Sequence, residues 1–168
     1  MDETKKSPTP AEPAWSRRKF LGAASTAAAG FMVVPRHVVG ATPQRKAPSD
    51  RLNIACVGVG GMGFSDTRGV RSENIVALCD VDDEMISQLI RNEEVEPAEK
   101  AMYEKAAKYR DFRRMLEKEK GIDAITVTTP DHNHAVIAMT AIKLGKHVYV
   151  QKPLTHTIKE ARLLAKAA

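Results

Sequence analysis

From residue 51 onward, short apolar runs alternate with longer segments whose apolar positions recur every three or four residues. Four runs read as strands: 52–57 (LNIACV), 75–79 (IVALC), 124–128 (AITVT) and 147–150 (HVYV). β-Branched and aromatic residues dominate them, and a turn signal closes each one. Helical spacing is expected over 62–71, 82–91, 112–119, 132–144 and 157–168. Acidic residues open the second of these segments, and Lys120-Gly121 closes the third. Gly145 closes the fourth, and Leu163 and Leu164 are expected on one side of the last. Residues 92–109 are charged and broken by Pro97, so we expect a helical piece near 98–107 and a short strand over 107–109.

Strand–helix alternation of this kind implies a parallel sheet with helices packed on it. The nearly continuous apolar strands suit a sheet covered on both faces. The fold class expected for residues 51–168 is therefore α/β, a doubly wound parallel sheet.

The first 50 residues are of another kind. Residues 1–15 are polar and proline-rich and cannot bury enough apolar surface to order themselves. Ser16-Arg17-Arg18-Lys19-Phe20-Leu21 follows, then an Ala- and Gly-rich apolar stretch that ends before Pro35. That stretch is shorter than the roughly 20 residues a membrane span needs. Val39-Gly40-Ala41 offers small residues suited to signal cleavage after Ala41. The order of these features resembles a twin-arginine (Tat) export signal over 1–41, with 42–50 a linker. It implies the Tat machinery as a partner, a periplasmic or extracellular destination and no permanent membrane span.

Charge follows the same division. The chain carries a net +5, and all of it lies in residues 1–46; residues 47–168 hold 18 basic and 18 acidic side chains. The folded part therefore has no excess of positive charge for nucleic acid. The two cysteines, Cys56 and Cys79, fall inside strand-like runs and read as buried thiols.

The first strand runs into GVGGMG, in which Gly58, Gly60 and Gly63 have the spacing of a dinucleotide fingerprint. Gly58 permits the tight turn, Gly60 admits a pyrophosphate close to the backbone, and Gly63 lets the helix approach the strand. Gly61 and Met62 complete the turn and open the helix, whose N-terminal N–H groups attract phosphate. Asp80 closes the next strand, where its carboxylate can accept the adenosine ribose hydroxyls. It would repel a 2′-phosphate, and no Lys or Arg stands beside it in CDVDDE, so NAD is favoured over NADP.

In open parallel sheets, ligands bind outside the carboxyl ends of the strands. TTPDHNH (residues 128–134) and Gln151-Lys152-Pro153 fall there. Thr129, Pro130, His134, Gln151, Lys152 and Pro153 are therefore candidate cofactor contacts. Lys152 is the candidate catalytic residue, placed to hydrogen-bond a substrate hydroxyl and help carry its proton. Asp131 is expected to cap the helix that follows, with His134 in its first turn. His132 and His134 lack the thiolate or carboxylate company of a metal site, so no metal is expected.

Together these segments resemble the Gfo/Idh/MocA family of oxidoreductases, over about residues 51–168. The family's Glu-Lys-Pro motif is matched by Lys152 and Pro153, with Gln151 in place of the glutamate. Its Pro-Asn-x-x-His pattern is matched by Pro130 and His134, with Asp131 in place of the asparagine. The resemblance implies a Rossmann domain for NAD(P), incomplete here, and a C-terminal α/β substrate domain not contained in these 168 residues. It implies hydride transfer to or from a sugar, a cyclitol or a derivative. An NAD-dependent glycoside hydrolase and a non-catalytic nucleotide-binding fragment are the alternatives.

Overall fold

The computed structural model describes residues 50–168. The export signal and most of the linker expected from the sequence lie outside the described residues. Five strands, β1 (Asn53–Val57), β2 (Asn74–Cys79), β3 (Ala107–Tyr109), β4 (Ala124–Val127) and β5 (His147–Val150), form one sheet. Its order is β3-β2-β1-β4-β5, and every pair is parallel. Among the described residues six helices follow the strands, two of them in succession between β2 and β3: α1 (Met62–Gly69), α2 (Asp83–Arg91), α3 (Pro97–Lys105), α4 (Phe112–Lys118), α5 (Asp131–Lys143) and α6 (Ile158–Ala167). The expected doubly wound α/β fold is present.

The sheet is sandwiched because its central strands are apolar on both faces, with polar Asn53 and Asn74 only at the starts of β1 and β2 and a buried Thr126 in β4. Successive side chains point to opposite faces. In β1, Ala55 and Val57 enter one core with Met115, Leu116, Ile122, Ile137 and Ala141. Ile54 and Cys56 enter the other, with Ile86, Leu89, Val95 and Tyr103. β5 lies at the sheet edge: His147 and Tyr149 are exposed, while Val148 and Val150 pack beneath α5 and α6. Among the described residues, no helix is long and apolar enough to cross a membrane.

Several boundaries move for local reasons. Pro97 does not interrupt a helix but begins one, at the first position of α3, where a missing N–H costs nothing. Asp82 and Thr157 stand outside their helices as caps: Asp82 accepts the Glu84 N–H, and Thr157 forms a reciprocal capping box with Glu160. Asp131 is not a cap. Pro130 occupies that position, and Asp131 is the first residue of α5. Leu163 and Leu164 do not share a face, because adjacent helical residues diverge by about 100°. Leu164 is buried against α5 and Leu163 is exposed.

Candidate functional site

A sheet that grows outward from β1 in both directions has its switch point between β1 and β4. The carboxyl ends of those strands meet there. Gly58 leaves β1 with a positive φ of 79°, and a Cβ on it would lie 2.6 Å from the Thr128 carbonyl oxygen. A Cβ on Gly63 would lie 2.1 Å from the Gly58 carbonyl oxygen. Both positions therefore exclude any side chain through backbone contacts. Gly60 differs, because a Cβ there would meet only the flexible end of Met85, at 2.6 Å from Sδ. Gly61 precedes α1 without a side-chain cap, and Met62 begins that helix with its side chain exposed.

A cavity of about 410 Å³ opens over this turn. Gly58, Gly60, Asp80, Thr128, Thr129 and Pro130 line it, joined by Arg110 and Phe112 from beyond β3. Asp80 is half-buried and already engaged: one carboxylate oxygen accepts the Val59 N–H at 2.9 Å and the other the Asp82 N–H at 3.1 Å. Each carboxylate oxygen keeps a further lone pair for a ligand hydroxyl. The residues present thus fit a dinucleotide: an uncapped helix N-terminus, a glycine-rich turn whose Val59 side chain is buried in the core, and an acid at the next strand end.

The sequence places no cation beside Asp80, but the fold does. Arg110 reaches across from the end of β3 and donates to the Val81 carbonyl through Nε (3.1 Å) and Nη2 (2.8 Å). It also stands 3.7 Å from Asp83. β2 and β3 are neighbours in the sheet, so thirty residues of separation in sequence become one strand spacing.

The second group of candidates gathers beyond β4 and β5. His134 is buried, and its ring bridges two loops. Nδ1 lies 2.8 Å from the Pro153 carbonyl oxygen and Nε2 lies 2.6 Å from that of Thr129. His134 thus ties the TTP loop to the lysine loop instead of facing the cavity. His132, two residues away on the helix, is exposed and points elsewhere, so the two imidazoles do not converge. The Lys152–Pro153 peptide is cis. Lys152 is exposed at this rim, beside half-buried Gln151.

Two residues that the sequence reading passed over complete this region. Asp66, one turn after Gly63 on α1, accepts hydrogen bonds from Thr128 Oγ1 (2.8 Å) and from Gln151 Nε2 (2.9 Å). His156 Nδ1 lies 3.2 Å from Asp131, and this contact holds the Asp131 carboxyl below the usual carboxylate range. Asp66 was readable, since a polar residue three positions from the last glycine shares its helical face. His156 was not, because its partner lies 25 residues earlier.

This geometry defines a dinucleotide-binding α/β domain. Residues 52–168 match the family described as "Oxidoreductase family, NAD-binding Rossmann fold", and the chain belongs to this Gfo/Idh/MocA family. Among curated proteins it is similar to a "Glycosyl hydrolase family 109 protein" of Shewanella pealeana, 30% identical over an alignment of 168 positions that covers 86% of this chain and 35% of the relative. A protein of the same name from Solibacter usitatus is 34% identical over 122 residues, covering 67% of this chain and 26% of that one. The chain spans about a third of the length of the curated relatives it matches. Among solved structures, a gentamicin A biosynthesis protein in complex with NAD aligns at TM-score 0.60 and 26% identity, covering 77% of this chain and 34% of that one. Myo-inositol 2-dehydrogenase of Lactobacillus plantarum aligns at TM-score 0.57 and 25% identity, covering 70% and 32%.

Proposed function

We propose that this chain is the NAD-binding part of an exported oxidoreductase that acts by hydride transfer on a sugar, a cyclitol or a derivative. One observation carries the reading: exposed Lys152 closes the strand next but one to the glycine turn, on the same rim of the sheet as the cavity. The cofactor, when bound, would accept or return a hydride at its nicotinamide. The backbone around Gly58, Gly60, Gly61, Met62 and Gly63 would receive its pyrophosphate, with Asp80 taking the adenosine ribose hydroxyls. Thr129 and Pro130 would line the path toward the nicotinamide end. The Lys152 ammonium would hydrogen-bond the substrate hydroxyl and help manage its proton. NAD is preferred to NADP because the Asp80 carboxylate opposes a 2′-phosphate.

The dehydrogenase names among the solved structures support a sugar-like or cyclitol substrate. The names of the curated relatives favour a second reading, an NAD-dependent glycoside hydrolase in which the hydride leaves and returns. Turnover by the protein expressed from its full coding sequence separates the two. Net NADH formation with free sugars or cyclitols supports the dehydrogenase; glycoside cleavage without net NADH supports the hydrolase. Neither activity would overturn both readings.

The Arg17-Arg18 pair supports export through the Tat machinery, a route for proteins already folded around their cofactor. Replacing both with Lys should hold the protein in the cytoplasm, and continued export would contradict the proposal.

A further inference from the structure

We propose that Asp66 and Gln151 form a matched pair that positions Lys152, an inference that rests on the catalytic reading of that lysine. The hydrogen bonds orient the Gln151 amide without ambiguity. Its nitrogen faces the Asp66 carboxylate at 2.9 and 3.2 Å, and a carboxylate only accepts. Its oxygen accepts the Lys152 backbone N–H at 2.8 Å, and a backbone N–H only donates. The side chain is thus a relay, held at one end by α1 and holding the lysine backbone at the other.

Asp66 is itself fixed by the Thr128 hydroxyl at 2.8 Å from the end of β4. Three elements, α1, β4 and β5, therefore converge on one carboxylate. α1 also carries Gly63, so the helix that receives the dinucleotide is tied to the loop that carries the lysine. A glutamate at 151 would still accept the Lys152 N–H but would have nothing to donate to Asp66. Two carboxylates at this separation repel, and the relay would open. Asp66 explains why an amide, with both a donor and an acceptor, stands at position 151.

Gln151→Glu, Asp66→Asn and the double variant test the pairing. In Gln151→Glu, Tm should fall by about 5 °C and kcat of the full-length protein by about tenfold or more. Asp66→Asn in that background supplies the missing donor and should recover most of both losses. That rescue is the readout a merely crowded site would not give. A Gln151→Glu protein with wild-type Tm and kcat, or a double variant no better than it, overturns the pairing. Intact Tm rescue with kcat unchanged throughout would retain the contact and overturn its role in placing Lys152. Failure of wild-type protein to turn over any sugar would strike the proposed function instead, and the Tm comparison would still decide the pairing.

Discussion

The Asp80 carboxylate accepts the Val59 N–H at 2.9 Å, so the acid that ends β2 is bonded to the backbone of the glycine turn that follows β1. A residue expected only to meet the cofactor also shapes the surface the cofactor meets. Its second oxygen holds the Asp82 N–H, which places the cap of α2.

Asp80→Ala should therefore cost stability as well as binding. Hydrogen bonds to a charged group contribute about 1.5–3 kcal/mol each, and the exposed edge of this site places the total at the low end. Chemical denaturation should show a loss of about 2 kcal/mol, and NADH titration a loss of affinity of about tenfold or more. Unchanged stability would mean the Val59 contact carries no weight.

The glycines should separate into two classes. Gly63→Ala sets a Cβ against a backbone carbonyl that cannot move aside, and should destabilise the fold by about 3 kcal/mol. Gly60→Ala meets only Met85 Sδ, which can swing away, so the fold should persist while NADH affinity falls. Thermal melts and NADH titrations of both variants check this. Equal destabilisation by the two would contradict it.

Arg110 bears on cofactor choice. Its guanidinium lines the cavity within reach of the acidic turn, while Asp80 opposes a 2′-phosphate. Asp80→Ser with Arg110 intact should narrow the preference for NADH over NADPH by about tenfold, and adding Arg110→Ala should remove that gain. Measured dissociation constants for both cofactors give the ratio. No change in the ratio would exclude Asp80 as the discriminating group.

Alkaline pH should unfold the domain through its buried thiols and phenol. Burial pushes the Cys79 thiol up to about 12, aided by Asp80 and Asp111, and pushes Cys56 up as well. Burial likewise raises Tyr103 to about 12. A raised folded value means the stabilising contribution is complete below the unfolded value and is lost as pH climbs toward the folded one. Stability should thus hold near pH 8 and fall progressively above about pH 9, where an unfolded thiol ionises. Cys79→Ala should flatten the onset of that fall. Constant stability up to about pH 11 would contradict these assignments.

β1, β2 and β4 were legible because each is a short, mostly apolar run with Gly, Asp or Pro soon after it, as a buried parallel strand requires. The glycine turn and Asp80 were legible because their spacing is fixed by one β-α-β unit. Arg110, His156 and the Gln151 partner of Asp66 were not, for one shared reason: their contacts join segments adjacent only in the folded sheet. His134 sits in the expected first turn, but its ring serves two backbone carbonyls, and nothing in its sequence surroundings distinguishes that use from a ligand contact.

Titration of the purified protein with NADH tests the central claim most directly. The account predicts saturable binding of one NADH per chain, weaker binding of NADPH, and loss of both in a Gly60→Val variant that keeps its secondary structure. Absence of saturable binding by the folded wild-type protein, or undiminished affinity in that variant, would contradict it.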